Sequence, residues 1–263
     1  MKALFACTLL LSLLASTACG PAVTPDEYFA RAQKAAADLQ RNADEIIRLE
    51  AAGQLDLTNR PEQLENAEST LEVLADNLKR ASDGGHTLAT YFLANLQSNP
   101  MYSGQSPKEA CGLYQKAMDQ GLLAAAIGYY NVCDRAYERF DLHNADHLKY
   151  LQTLEQLLQK PDIKGGGYPL MATRSLCFQD VNAPLPQQGI MEAMQARAAA
   201  LLLTEAQYRA EANYILALTR VNKNDRPDSQ NIVYLDKAEA LGCKDFLGLS
   251  AMMRNAVMAA EAK

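Results

Sequence analysis

In the stretch DLHNADHLKYL, His143 and His147 stand four residues apart. That spacing can set two imidazoles on one helical face, where they could hold a metal. The neighbours argue otherwise. Asn144 is a good N-cap and Asp146 suits the first turn, so the helix begins after His143 and only His147 rides on it. No Glu follows His143 to act as a base, no third His lies downstream, and a solvated helix start is expected. His86 lies beside Gly85 at a turn and reads as structural. Lys164 to Tyr168, KGGGY, lacks the Gly-Lys-Ser/Thr of a phosphate loop and reads as a flexible insertion. Cys177 has Arg174 nearby but no His close in sequence to activate a thiol nucleophile. Carboxylates such as Glu109, Asp119 and Asp134 could be gathered by folding to hydrolyse cell-wall polymer, yet their spacing marks no catalytic pair. The expectation is a protein that is not an enzyme and holds no metal and no small-molecule cofactor.

Composition narrows the class. The 263 residues are 49% hydrophobic but only 7% aromatic, with no Trp and abundant Ala. This favours helices packed through small side chains over a β-sandwich. The formal charge is −6 and there is no Lys/Arg block, so a nucleic-acid partner is not expected.

The elements that must position these residues are helical. Thr24-Pro25-Asp26-Glu27 has capping-box spacing, with Pro at the first helical position. Tyr28, Ala32, Ala35, Leu39, Ala43 and Ile46 continue at helical spacing, and Gly53 ends the run. Pro61 opens a second helix, with Leu64, Ala67, Leu71, Leu74, Leu78 and Ala81 on one face. Two long antiparallel helices follow from this pattern.

From Leu78 the chain repeats itself. Arg80-Ala81 aligns with Lys116-Ala117, Gly85 with Gly121 and Ala89 with Ala125, all at an offset of 36. Lys237-Ala238 and Gly242 fall in the same frame. A fixed period of this size marks a repeat architecture. Each Gly stops a helix by taking the left-handed conformation. After Gly121, Ala124, Ala125 and Ala126 let the next helix approach closely, and Ile127, Tyr129 and Tyr130 fill the wider space beyond. Two further units are worn. Tyr150 to Leu158 and Pro169 to Cys177 are expected as one helix pair, interrupted by an insertion. Ile190 to Leu203 and Ala212 to Leu218 are expected as another, with Thr204 and Gln207 forming a capping box. The twelve Tyr fall mostly at core spacing, as at Tyr91, Tyr129 and Tyr214.

The N-terminus has the grammar of an export signal: Lys2, an apolar run from Ala3 to Leu14, then Ser16-Thr17-Ala18 before Cys19. The apolar run is too short to span a bilayer. This arrangement resembles a bacterial lipoprotein signal, which implies cleavage before Cys19 and lipid attachment to it, palmitate included. The same small residues also suit ordinary secretion with cleavage at that point. Lipidation of Cys19 leaves Cys111, Cys133, Cys177 and Cys243 in the mature chain, an even set that can pair fully in an oxidising compartment. Gly20, in place of an Asp after the Cys, implies by the same resemblance an outer-membrane anchor facing the periplasm. Removing Lys2 leaves 24 basic and 31 acidic residues, a net charge of −7, so anionic lipid offers the mature chain no electrostatic attraction.

The frame Lys-Ala-x-x-x-Gly-x-x-x-Ala resembles the Sel-one-like repeat, a relative of the tetratricopeptide repeat. RASDGGHTLATYFLA fits it best, through Gly85-His86, Ala89, Tyr91, Leu93 and Ala94. The resemblance implies an all-α protein: an α-solenoid of antiparallel hairpins, with about four to five repeats, preceded by a long N-terminal helix. The chain then divides into a signal peptide (1–18), a lipidated N-terminus and long helix (19–60) and a repeat domain (61–263). Members of the family act as protein-interaction scaffolds, and some carry a disulfide across a hairpin. Here Cys111 and Cys133 are equidistant from residue 122, beside Gly121, so an antiparallel hairpin sets them face to face. A bridge there would stabilise by roughly 3 kcal/mol; the alternative is two buried free thiols. Cys177 and Cys243 would then pair by elimination. The expected partner is another envelope protein or a peptide, held on the curved face of the array, with the lipid anchoring the whole to the membrane.

Overall fold

Thr24 starts the first helix by the reciprocal mechanism its spacing predicts. Its Oγ1 accepts from the Glu27 N–H at 3.2 Å, and its own N–H donates to Glu27 Oε2 at 2.8 Å. The computed structural model of the protein describes residues 22–55, 62–99, 107–134, 141–163, 168, 170–171, 173–179, 201–246 and 248–261. Among them run nine helices: α1 (Pro25–Ala51), α2 (Glu62–Asp83), α3 (Thr87–Ser98), α4 (Pro107–Asp119), α5 (Leu123–Val132), α6 (Ala145–Leu158), α7 (Glu205–Thr219), α8 (Ser229–Ala240) and α9 (Leu249–Glu261). The fold is all-α. Residues 1–21, with the expected signal and Cys19, lie outside the described residues, as do Lys164 to Gly167.

Every helix packs on its neighbour in the chain, from α1 on α2 through to α8 on α9. In addition α5 packs on α7, and α3 touches α5. The reason lies in the side chains. Residues 123 to 128 of α5 and all but Leu218 of residues 210 to 219 of α7 are buried, so both helices sit in the middle. The largest apolar cluster joins α3 to α7 around Tyr91, Tyr114, Ile127, Leu154 and Ile215. Leu88, Phe92 and Leu113 connect it to the α1–α2–α3 cluster, and Leu176, Phe178 and Tyr234 connect it to the α7–α8–α9 cluster. One core therefore runs through all the helices.

Helix α1 differs from the rest. Its first half buries Phe29, Ala32 and Ala35, while beyond them only Ile46 is buried. The distal half carries exposed pairs within the helix, Arg41 to Asp38, Gln40 to Asp44 and Arg48 to Glu45. At 1.5 Å per residue α1 is about 40 Å long and α3 about 18 Å. The outer part of the α1–α2 hairpin is thus a two-helix arm with a solvated surface.

One expected helix is not formed. The segment expected as a helix from Pro169 to Cys177 is extended and then turns. The Thr173 N–H donates to Leu201 O at 3.0 Å and the Leu201 N–H to Thr173 O at 2.8 Å. The Leu176 and Cys177 N–H groups go to the Glu211 carboxylate. With these donors engaged by distant acceptors, no helical ladder can close. The same bridge takes Leu201 out of the helix expected over Ile190 to Leu203. The earlier residues of that stretch, and Pro169 and Ala172, lie outside the described residues.

Candidate functional site

The repeated frame builds one piece of geometry three times. Gly85, Gly121 and Gly242 have φ of 91°, 89° and 90°. At each turn the residue after the Gly donates its N–H to the carbonyl of an Ala five positions earlier: His86 to Ala81, Leu122 to Ala117 and Cys243 to Ala238, at 3.0, 3.1 and 3.0 Å. This is the Schellman closure of a helix. The three Ala are fully buried, which explains why the frame reads Ala four residues before Gly. The sequence-predicted turn glycines thus occupy equivalent bends. The second turn also leans on the first. Lys116 Nζ donates to Ser82 O at 2.7 Å, among the last carbonyls of α2, and Gln120 Nε2 donates to Gly85 O at 3.4 Å.

The four cysteines among the described residues are paired. Cys111 and Cys133 form a disulfide across the α4–α5 hairpin, with Cα atoms 5.7 Å apart. Cys177 and Cys243 form the second, which ties the third turn to the extended segment; there the Lys244 N–H also donates to Cys177 O at 3.0 Å.

Buried polar groups hold the irregular parts in place. Glu211 of α7 is fully buried and accepts from Ser175 Oγ at 2.5 Å, Leu176 N at 2.5 Å and Cys177 N at 3.0 Å. Burial pushes its carboxyl above the ordinary value, and the three donors oppose that rise without cancelling it. Asp162 supplies the cap that Leu122 cannot. Its Oδ2 accepts from Leu123 N at 3.1 Å and from the Tyr168 hydroxyl at 2.6 Å. Asp245 accepts from the Tyr214 hydroxyl and from Leu249 N and Ser250 N at the start of α9. Burial opposes its ionisation, but these donors outweigh burial and hold it below the usual carboxylate range.

The histidines divide as the caps dictate, with one correction. Asn144 caps α6 through Asp146 N at 2.9 Å, so His143 lies outside the helix, where it pairs with Asp225. His147 is not solvated: it is 2% exposed. Its Nδ1 lies 2.6 Å from Asp134 Oδ2, and its Nε2 faces the Thr219 carbonyl at 3.5 Å. The helical period faces His147 toward α7, and the partner that makes burial tolerable follows Cys133 in a different element. His86 caps α3 through Ala89 N at 3.1 Å. Asp134 is thus committed to His147, and Glu109 and Asp119 stand at opposite ends of α4, about 15 Å apart along the axis. The three carboxylates do not converge. Among the described residues no three His, Cys, Asp or Glu side chains gather as a metal site.

A groove of about 380 Å³ lies beside the third turn, lined by Phe178, Leu203, Gln207 and Lys244, and two more lie along α1 to α4. One, of about 320 Å³, runs between α2, α3 and α4 over Leu93 and Leu113, edged by Lys79, Gln97, Glu109 and Lys116. The other, of about 260 Å³, is apolar, lined by Phe29, Ala32, Leu74, Leu88, Phe92 and Leu170. The middle of the helical core is filled instead. The Tyr91 hydroxyl of α3 lies 3.3 Å from that of Tyr208 of α7, both fully buried. Tyr129 and Tyr130 stack on Tyr150 at 5.6 and 6.1 Å. The tyrosines mostly pack.

Comparison with protein-family models, with characterised proteins and with solved structures finds no match.

Proposed function

We propose that this chain is an envelope lipoprotein, anchored through Cys19 to the periplasmic side of the outer membrane, that holds a partner protein or peptide on an array of Sel-one-like helical hairpins. The observation that carries the reading is the turn repeated at Gly85, Gly121 and Gly242, each closed by the same hydrogen bond onto a buried Ala. Identical turns in a fixed frame are what a stacked array needs, and such arrays characteristically work by presenting surface. The paired cysteines support an oxidising compartment. With those four engaged, Cys19 is the only thiol left in the mature chain, which favours its use as the lipid site.

The groove between α2, α3 and α4 is the docking surface this reading favours. It has an apolar floor in Leu93 and Leu113, donors in Lys79 and Lys116 and an acceptor in Glu109. An extended peptide, which carries both N–H and C=O groups along its length, matches that mixture. The test places a photo-crosslinking residue at Glu109 in intact envelopes, identifies the captured protein and measures its binding to the purified chain by calorimetry. A one-to-one complex lost on Glu109→Lys supports the reading. A captured protein that does not bind when purified, or that binds the variant equally, removes the groove from consideration.

A further inference from the structure

The extended stretch before α7 leaves one backbone edge open. Leu201 spends both of its backbone groups on Thr173, the N–H at 2.8 Å and the carbonyl at 3.0 Å. In an extended chain the next residue turns its own pair toward the opposite edge. Leu202 is that residue, and neither its N–H nor its carbonyl has a partner among the described residues. Exposure alternates as in a strand with one buried face: Leu203 is 1% exposed and Leu202 62%. The open edge is short, because Thr204 caps α7 and Glu205 begins it.

The groove beside this edge fits the rest of a peptide. Leu202 lines it together with Leu241, which is 37% exposed, and with Phe178 and Lys244. Gly242 lines it too, and an added Cβ there would meet nothing within 4 Å, so the wall at the turn is open. Lys244 carries the one charge of the lining. Its Nζ lies 5.9 Å from the Phe246 ring and forms no ion pair with a described carboxylate. We propose that this third-turn groove takes an extended peptide as an added strand. The Leu202 N–H and carbonyl pair with the peptide backbone, Leu202, Leu241 and Phe178 receive its apolar side chains, and Lys244 meets an acidic side chain. The free backbone pair selects the occupant. A helix has already spent its N–H and C=O groups on itself, and a lipid headgroup would answer Lys244 alone. The site is separate from the groove between α2, α3 and α4 and does not depend on lipidation of Cys19.

The experiment pans the purified full chain against phage-displayed random heptapeptides, then titrates the enriched peptides, made synthetically, by calorimetry. The expected peptides alternate apolar and polar residues and carry an Asp or Glu. N-methylation scanned along one of them should weaken binding by about tenfold at the residue facing Leu202 and little at its neighbours. Lys244→Glu should weaken binding by about tenfold as well. Lys244 is exposed, so the variant should melt with the parent, which separates lost binding from lost folding. Amide exchange at Leu202, followed by NMR, should be fast in the free chain and slow with peptide bound. A Leu202 amide already protected in the free chain means that the chain covers this edge itself, and overturns the proposal. So does a failure to enrich any peptide. Enriched peptides that leave the Leu202 amide unchanged and bind Lys244→Glu equally dock elsewhere, and overturn it too. Equal sensitivity to N-methylation at every position would mark a helical ligand and refute the added strand.

Discussion

Replacing Gly121 by Ala tests the turn that joins α4 to α5. At φ of 89°, any Cβ meets the left-handed penalty of about 1–2 kcal/mol. The less flexible unfolded chain returns about 0.4–1 kcal/mol of that. The added Cβ would also lie 3.2 Å from Ile163 Cγ2, a contact tight enough to make the neighbour shift. The net loss should be about 1 kcal/mol, which lowers the melting temperature by about 2–4 °C in a chain of this size. Gly85→Ala has the same backbone penalty, with nothing within 4 Å of the new Cβ, so it should cost slightly less. Gly112 lies inside α4 with open space around it and no positive φ. There Ala should stabilise by about 0.5–1 kcal/mol. The assay is thermal and urea denaturation of the three variants beside the parent. The reasoning fails if Gly121→Ala and Gly112→Ala shift stability in the same direction.

Gly128→Ala in α5 should destabilise by about 1–3 kcal/mol, despite its better helix propensity, because the new Cβ would sit 2.4 Å from the buried ring of Tyr114; urea midpoints check it. Removing Cys111–Cys133 should cost about 3 kcal/mol and removing Cys177–Cys243 about 4, because the second closes the longer loop, 66 residues against 22; paired Cys→Ala variants in guanidinium rank them. Glu211→Gln should cost about 1–3 kcal/mol by aiming an amide donor at donors already there. Because the Glu211 carboxyl is raised in the folded state, the parent loses stability as pH climbs from the ordinary carboxyl value through the raised one, and the variant should lack that decline. Burial raises the hydroxyls of Tyr91, Tyr114 and Tyr208, and pushes Tyr234 up to about 12. Stability should therefore be whole below the unfolded value, about 10, and fall as pH rises beyond it. Absorbance at alkaline pH should show Tyr91, Tyr114 and Tyr208 ionising together with unfolding, and a smooth titration of every tyrosine in a folded chain would contradict their burial.

What the sequence discloses here is whatever is fixed within one turn of helix. Thr24 with Glu27, Thr204 with Gln207, and Ala four residues before Gly each make a local bond whose partners sit at constant spacing, so their types suffice. The α4–α5 disulfide was legible for a related reason, since hairpin symmetry converts sequence distance into spatial opposition. Asp162 was not legible. It caps a helix that starts 39 residues earlier, and nothing local announces that. The extended stretch at Thr173 was misread because its apolar spacing suits a helix, while the acceptors that unwind it, Leu201 O and Glu211, come from later in the chain. A signal for Glu211 did exist: helical period sets it beside Tyr208, Tyr214 and Ile215, and a carboxylate on that apolar stripe requires donors from somewhere. His147 offered a similar hint, since helical period sets it on the stripe of Tyr150, Leu151 and Leu154, but its partner, Asp134, belongs to the preceding hairpin and nothing local announces it.

The meeting of Tyr91 and Tyr208 bears on how the chain can be made. A row of hairpins can ordinarily settle one unit at a time as it emerges. Here the inner side of α3 stays wet until a residue 117 positions later arrives to cover it. The early hairpins must wait, partly exposed, while the rest of the chain is made. Shortening the protein from its C-terminal side would not yield a smaller folded protein, because truncation before α7 strips the cover from the beginning as well as removing the end.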